Sequence, residues 1–232
     1  MKILLISINR ERMPFPVFPL GLAYIARGLK EEGHPIEVMD LCFSQEVSVD
    51  LHKALHRFRP DLIGISLRNL DNLTYPTSVS YLKEVEEVIG ICRQSTSSPI
   101  AIGGSGFSLA PKELFQHLNV DFGIVGEGEE VFPYLVRDLE RGAPISPSPH
   151  LFMKENPFPQ LIEGARVSFI QRPERGLFQT QRYLEEGGMG NIQTKRGCPF
   201  SCIYCTYPLL EGERIRLRKV DEVVEEIRCL VE

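Results

Sequence analysis

The chain of 232 residues contains 43% hydrophobic and 25% charged residues, a composition that excludes a disordered or fibrous protein. The formal net charge of -5 excludes a general attraction to phosphate backbones, so nucleic acid is not an expected partner, although Lys195-Arg196 and residues 214–219 leave local basic patches possible. The early apolar run at residues 3–8 is too short for a membrane span and lacks a signal-peptide cleavage site, so we expect a cytoplasmic protein without a membrane span.

Strands and helices alternate through residues 1–142. Short apolar runs predict five strands, at residues 2–7, 36–39, 62–66, 99–102 and 122–125. Apolar residues at helical spacing predict the intervening helices, over residues 22–33, 50–58, 82–92, 111–117 and 129–140. Because parallel crossovers place helices over both faces of a sheet, residues 1–142 are predicted to form a flavodoxin-like, doubly wound α/β domain with a five-stranded parallel sheet.

The ligand site of such a domain is expected beyond the carboxyl ends of the strands, where the strand order reverses. The loops at that edge are predicted at residues 9–18, 67–77, 104–109 and 126–128. None of them carries the Gly-x-Gly-x-x-Gly or Gly-x-x-x-x-Gly-Lys-Ser/Thr pattern, so a dinucleotide or a nucleoside triphosphate is not the expected ligand.

The remainder of the chain is predicted in two parts. Residues 143–189 are rich in proline, lose the strand and helix alternation, and predict a connector. Residues 190–232 then predict a strand at 191–194, a loop that carries three cysteines, and a helix at 220–231 with valine and isoleucine on one face.

The cysteine loop contains Cys198, Cys202 and Cys205, three of the six cysteines of the chain. Three thiolates on one tight loop can bind three irons of a cubane cluster and leave the fourth iron open. A structural zinc site is the alternative, but it needs a fourth ligand, and Cys229 is predicted to point away from the apolar face of its helix. Unliganded cysteines are a third possibility, and Cys42 and Cys92 are predicted as ordinary core residues.

The Cys-x3-Cys-x2-Cys spacing, flanked by Arg-Gly-Cys-Pro-Phe and Tyr-Cys-Thr-Tyr-Pro, strongly resembles the radical S-adenosylmethionine enzymes. The resemblance implies a [4Fe-4S] cluster on the three cysteines, with S-adenosyl-L-methionine on the open iron and Tyr204 against its adenine. It also implies a one-electron reductant, whose electron cleaves S-adenosylmethionine to a 5′-deoxyadenosyl radical. Residues 190–232 would then be the first strand, loop and helix of a radical S-adenosylmethionine barrel.

The first 140 residues resemble the cobalamin-binding domain that precedes the cluster in one large branch of that family. The resemblance is carried, in order, by Pro19-Leu20-Gly21-Leu22-Ala23-Tyr24-Ile25-Ala26, Gly33-His34, Asp40, Gly103-Gly104 and Gly126-Glu127-Gly128-Glu129. It implies that cobalamin is bound by residues that follow the strands, namely Ser66, Asn69, Asn72, Gly103, Gly104, Ser105, Gly126, Glu127 and Gly128. The alternative is that these glycines form ordinary turns and that Glu127 or Glu129 only favours the start of a helix.

An Asp-x-His-x-x-Gly loop is absent after the first strand, so the resemblance implies a cobalt without a histidine ligand, its lower face open or shielded by a loop such as 69–75. The expected reaction is methyl transfer to an unactivated carbon of a small, lipid-like or natural-product substrate. A cobalamin-dependent radical cyclase and a non-catalytic corrinoid carrier are the alternatives. Because the family's barrel normally continues well past its first unit, we expect either that this chain is a fragment of a longer enzyme or that the missing part comes from elsewhere, and that these residues by themselves are inactive.

Overall fold

The computed structural model describes residues 1–72, 74–160 and 172–231. Its strands are β1 (Ile3–Ser7), β2 (Ile36–Asp40), β3 (Leu62–Ser66), β4 (Ile100–Gly103), β5 (Phe122–Ile124), β6 (Leu151–Met153), β7 (Lys195–Arg196) and β8 (Arg216–Leu217). Its helices are α1 (Leu20–Glu31), α2 (Val47–Phe58), α3 (Leu82–Ser95), α4 (Ser105–Leu109), α5 (Pro111–His117), α6 (Gly128–Arg141), α7 (Thr180–Glu185), α8 (Tyr207–Glu211) and α9 (Val220–Val231).

The first six strands form one sheet in the order β2-β1-β3-β4-β5-β6. The first five are parallel, which confirms the doubly wound α/β prediction. The sixth strand, β6, pairs antiparallel with β5 at the edge of the sheet. The sequence analysis missed it because a run of three apolar residues in a proline-rich stretch carries no readable periodicity. Part of the predicted connector therefore belongs to the sheet, and its residues 161–171 lie outside the described residues.

Apolar side chains fill both faces of this sheet domain (residues 3–153). Along β1, Ile3 and Leu5 join one hydrophobic cluster, which contains residues of α1 and α6, whereas Leu4 and Ile6 join the other, which contains residues of α2 and α3. This division follows from the alternation of side chains along a strand. Each such aliphatic side chain stabilises the fold by roughly 1.5–3 kcal/mol when it leaves water. Cys42 and Cys92 are buried in these clusters, as predicted.

The end of the predicted connector packs against the sheet domain through aromatic rings. Tyr183 of α7 lies edge-on to Phe18 and Phe43, with ring centroids 5.5 and 4.7 Å away. Its hydroxyl donates a hydrogen bond of 2.7 Å to Oδ2 of Asp40, at the end of β2. Burial raises the pKa of the Asp40 carboxyl, and the hydrogen bond from Tyr183 opposes that rise. This part of the chain is thus anchored at the end of β2.

The C-terminal segment (residues 190–231) differs from the prediction in its strands. Residues 191–194 form no strand. Instead β7 and β8 pair antiparallel, with Arg196 opposite Arg216. The strand prediction at 191–194 was wrong because that stretch has one aliphatic residue, and strand formation here depends on a pairing partner 20 residues away, which local pattern does not reveal.

The predicted C-terminal helix is confirmed as α9, and the side chain that this helix buries is polar. Glu226 is the buried residue of α9, whereas Val220 and Val231 are 74% and 81% exposed. The valines and isoleucine of the predicted apolar face therefore contact solvent. Within the described part of the chain, no helix combines the length and the apolar character needed to cross a lipid bilayer.

Candidate functional site

A cavity of about 610 Å³ lies at the carboxyl ends of the parallel strands, where the sequence analysis places the ligand. Its volume is within the range of small-molecule sites. The walls come from the ends of β1, β3, β4 and β5, from the starts of α1 and α6, and from the C-terminal segment through Gln193, Arg196, Tyr207 and Glu211. The cavity is therefore enclosed by both parts of the chain.

Glycines keep the floor of this cavity open. A Cβ on Gly64, in the middle of β3, would lie 2.9 Å from side-chain atoms of both Leu5 and Phe132, which line the cavity. Gly104 adopts φ +99°, and a Cβ there would lie 2.5 Å from the carbonyl oxygen of Leu67. Larger residues at these two positions would displace their neighbours, so the packing around the cavity requires glycine there.

Two serines hold the loops around the cavity. Ser108 Oγ donates to the carbonyl of Gly104 and accepts from the backbone N–H of Gly126, each at 2.9 Å. Ser105 Oγ donates to the carbonyl of Arg68 at 2.7 Å. The loops after β3, β4 and β5 are thereby linked. The sequence analysis missed Ser108. The position of Ser108 shortly after Gly104-Ser105 was a signal that could have identified it.

The cavity lining contains most of the predicted cobalamin contacts, namely Ser66, Gly103, Gly104, Ser105, Gly126, Glu127 and Gly128. It does not contain Asn69 or Asn72. Asn69 borders a small neighbouring pocket. The side-chain oxygen of Asn72 accepts from the backbone N–H of Val79 at 2.9 Å, so this amide closes its own loop rather than facing the cavity.

Arg68 lines the cavity and was also missed, because a lone arginine after a strand gives no distinct pattern. Burial lowers the pKa of its guanidinium. The cavity lining includes none of the five histidines. Two of them lie elsewhere on the domain: His34 contacts the N-terminal amine, and His117 contacts Glu86.

Buried ion pairs form the wall between the sheet domain and the C-terminal segment. Arg196 lies 2.5 Å from Glu129 and 3.5 Å from Glu127, with the three side chains 5–7% exposed. Arg216 also pairs with Glu127, and Arg196 Nε lies 3.7 Å from Glu211 Oε2. Burial by itself lowers the pKa of Arg196, but Glu129, Glu127 and Glu211 raise it overall.

Glu211 is the least satisfied member of this wall. Its Oε2 is buried and has no hydrogen-bond partner among the described residues, and burial raises the pKa of the carboxyl, against the opposing effect of Arg196. In the two possible basic patches, Arg196 and Arg216 face carboxylates, whereas Lys195, Arg214 and Lys219 are exposed. Charge counted along a sequence does not reveal which charges the fold will pair.

The cysteine loop follows directly after Arg196. Cys198 donates its backbone N–H to the carbonyl of Gly212 at 3.0 Å, and Cys205 donates to the carbonyl of Cys202 at 3.1 Å. All three thiols are free; Cys198 is half-buried, while Cys202 and Cys205 are exposed. Tyr204, predicted to lie against adenine, is 85% exposed.

The donor set of this loop suits an iron–sulfur cluster in kind, since it consists of three unbridged thiols on one turn. Among residues 1–72, 74–160 and 172–231, no three His, Cys, Asp or Glu side chains are grouped as they are in a metal site. Cys229 contacts Arg172 and Glu225 on the exposed side of α9.

Comparison with known families and proteins agrees with this geometry. The model of the B12 binding domain matches residues 6–136. An uncharacterized methyltransferase of Pyrococcus horikoshii is 30% identical over 220 residues, covering 91% of this chain and 45% of that protein. A tryptophan 2-C-methyltransferase of Streptomyces laurentii is 26% identical, covering 96% of this chain and 46% of that protein.

A solved structure is similar over nearly the whole chain. It is the radical S-adenosylmethionine methyltransferase TsrM of Kitasatospora setae with tryptophan substrate and a S-adenosylmethionine analogue bound, with a TM-score of 0.87, 27% identity, and coverage of 99% of this chain and 45% of that one. A second structure of TsrM contains cobalamin and a [4Fe-4S] cluster. This chain thus spans a little under half the length of the proteins that it matches.

Proposed function

Because the chain belongs to the B12-binding domain family, we propose that it forms the cobalamin- and cluster-binding part of a radical S-adenosylmethionine methyltransferase. The observation that carries the proposal is the cavity at the carboxyl ends of the strands, which is enclosed on one side by the segment that bears the cysteine loop. The similarity to TsrM, which extends over both parts of the chain, supports the same conclusion.

The proposed cobalamin site is the cavity and the edge of the sheet above it. Gly103, Gly104, Gly126 and Gly128 let the backbone approach the corrin, and Ser66 and Ser105 hydrogen-bond its amides. In the proposed cluster site, Cys198, Cys202 and Cys205 bind three irons, and Tyr204 covers the adenine of S-adenosylmethionine. When bound, cobalamin supplies a methyl group, and the cluster with S-adenosylmethionine and a one-electron reductant supplies a carbon-centred radical.

The residues of the chain position these groups and exclude water. The apolar walls of the cavity, formed by Leu5, Leu22, Ile25 and Phe132, remove solvent from any ligand bound there. TsrM carries tryptophan as its substrate, and the proposed reaction here is methyl transfer to a carbon of a small molecule. The chain spans less than half the length of its relatives. Cofactor binding is therefore the part of the proposal that experiments on this chain test directly.

A corrinoid-binding module without catalysis of its own is the second candidate. The observation that favours it is that the three thiols are not grouped as a metal site in the described part of the chain. The two candidates differ in one measurable property, namely the reductive cleavage of S-adenosylmethionine.

The test begins with anaerobic reconstitution of the chain with iron, sulfide and hydroxocobalamin. We expect stoichiometric cobalamin and roughly four irons per chain. The variant with Cys198, Cys202 and Cys205 all changed to alanine should lose the iron and the cluster absorbance and keep the cobalamin. The variant Cys92→Ala is the matched control, because Cys92 lies in the core of the sheet domain.

Addition of S-adenosylmethionine and dithionite then separates the candidates. Release of 5′-deoxyadenosine supports the radical enzyme, whereas cobalamin binding without cleavage supports the module. Stoichiometric zinc with no iron would overturn the cluster assignment. The EPR spectrum of cob(II)alamin should lack imidazole superhyperfine splitting, because no histidine lines the cavity described here.

A further inference from the structure

Five charged side chains form a cluster between the cavity and the cysteine loop. This arginine–glutamate cluster consists of Glu127, Glu129, Arg196, Glu211 and Arg216. Four of its members line the cavity, and Arg216 pairs with one of those four, Glu127. One member, Arg196, lies two residues before Cys198 in sequence. The cluster therefore connects the two proposed cofactor sites.

On the sheet side, the carboxylates are fixed by a rigid backbone. β5 ends at Ile124, Gly126 turns the chain with φ +76°, and its N–H is bound by Ser108. Glu127 and Glu129 follow at the start of the 14-residue helix α6. Their backbone positions are thus set by the same loops that form the cavity.

On the loop side, the arginines come from paired strands. Arg196 of β7 lies opposite Arg216 of β8. Gly197 follows with φ +84°, and a Cβ there would lie 2.0 Å from the carbonyl oxygen of Arg214, so the two backbones are in direct contact. The N–H of Cys198 then binds Gly212 at 3.0 Å. A movement of Arg196 would have to move Cys198 with it.

Apolar burial does not place this part of the chain. Phe200, Ile203, Leu209 and Leu217 are 65–103% exposed, whereas Arg196 is 4% exposed. Buried ion pairs tolerate little displacement, because a shift that separates the partners leaves charges unpaired in a dry environment. The placement of the loop thus depends on the charged contacts.

We propose that the arginine–glutamate cluster positions the cysteine loop against the corrinoid cavity, so that Glu127, Glu129, Arg196 and Arg216 act as positioning residues that couple the two cofactor sites. Glu127 then contributes to the cobalamin site through its ion pairs with Arg196 and Arg216 as well as by direct contact with cobalamin. The positioning part rests on the geometry described above, and the coupling part rests on the proposed function.

The experiment measures hydrogen–deuterium exchange of residues 195–205 by mass spectrometry. It uses the full chain, first without cofactors and then with hydroxocobalamin. The variants are Glu129→Gln and Glu127→Gln, which remove a charge at nearly constant shape. Glu130→Gln is the matched control, because Glu130 is an exposed carboxylate in the same first turn of α6. Exchange in β1, β3 and β4 reports whether each variant still folds.

In the cofactor-free chain, we expect exchange of the loop to increase at least roughly tenfold in Glu129→Gln and Glu127→Gln, the effect of losing a buried charge-assisted contact. Glu130→Gln should match the native chain. The charge-swapped variant Glu129→Arg with Arg196→Glu should restore part of the protection. Unchanged exchange in both single variants would overturn the positioning role, whether or not cobalamin binds.

With hydroxocobalamin, the native loop should become further protected, and this additional protection should be lost in Glu129→Gln even at saturating cobalamin. If the additional protection persists in that variant, the coupling is overturned. If the native chain binds no cobalamin, the proposed function fails, and the cofactor-free measurement still decides the positioning role. Should either glutamine variant fail to fold, Arg216→Lys provides the same comparison with the charge retained.

Discussion

In the sheet domain the side chains with no exposed surface include Ile3, Leu4 and Ile63, whereas in the described C-terminal segment the buried side chains are Arg196, Arg218 and Glu226. The first region is held by apolar burial and the second by charges. Glu226 lies 2.6 Å from Arg218 and 2.7 Å from Arg175, and Arg218 donates to the hydroxyl of Tyr24 in α1 at 3.2 Å.

This difference has a physical meaning. Apolar contacts are non-directional and sum to a large stabilisation, so the sheet domain tolerates repacking. Buried ion pairs contribute little net stability but disfavour any arrangement that separates them. We therefore expect the sheet domain to determine the stability of the chain, and the ion pairs to determine where the C-terminal segment lies on it.

The largest expected effect comes from Glu226→Ala. Removal of this carboxylate breaks its ion pair with the guanidinium of Arg218, whose side chain is 0% exposed, at an expected cost of about 3–5 kcal/mol. Limited proteolysis should then cut within residues 190–231 while the sheet domain survives. Glu225→Ala is the control, because Glu225 is 53% exposed and its loss should change little. Global unfolding of the Glu226 variant would contradict the separation of the two regions.

The same aliphatic truncation should have different effects in the two regions. Ile63→Ala, in the centre of β3, should lower the free energy of unfolding by about 2–5 kcal/mol, because it creates a cavity. Ile227→Ala, on the 44% exposed face of α9, should change it by less than about 0.5 kcal/mol. Urea unfolding at a single pH measures the change in the free energy of unfolding for both variants. Similar losses at the two positions would show that α9 contributes apolar packing after all.

A smaller, pH-dependent effect is expected where α7 meets the sheet domain. Tyr183→Phe removes the hydroxyl that binds Asp40 and should cost about 1–2 kcal/mol. Burial raises the pKa of Asp40, so the folded state holds the proton more tightly than the unfolded state does, and stability falls as pH rises from the usual Asp pKa through the raised one.

The hydrogen bond from Tyr183 lowers the pKa of Asp40, so its loss should raise that pKa further. The decline in stability should therefore be larger in the variant and should end at a higher pH. Urea unfolding between roughly pH 4 and pH 8 measures this. The double variant Asp40→Asn with Tyr183→Phe should lose the decline, and parallel profiles for Tyr183→Phe and the native chain would refute the assignment to Asp40.

Sequence reasoning succeeded where interactions are local or strongly patterned. Strands such as β1 and β3 are continuous apolar runs because helices cover both of their faces, so burial is visible in the sequence itself. Ser66 and Ser105, which lie at or just after strand ends, line the cavity because the carboxyl ends of parallel strands meet at one edge. Asn72 also follows β3 but does not line the cavity, because its loop folds back on itself, with Asp71 paired to Ser80.

The residues that were missed depend on contacts between distant parts of the chain. Arg196 and Glu129 are 67 positions apart, and each by itself resembles an ordinary surface charge. The edge strand β6 and the pair β7 and β8 are too short to show a period, and they exist because a partner strand is adjacent. No local pattern encodes such pairings.

The amino-acid sequence by itself determined the alternation of strands and helices, the edge of the sheet at which the cavity lies, and the three cysteines on one loop, because periodicity and spacing are properties of neighbouring residues. Tertiary structure alone decided that the residues flanking the cysteine loop, Arg196 and Tyr207, line the cavity, and that Arg196 is buried there in ion pairs with Glu127 and Glu129. Which charges are paired, and which are left to solvent, depends on the burial of both partners, and burial is set only when the whole chain has folded.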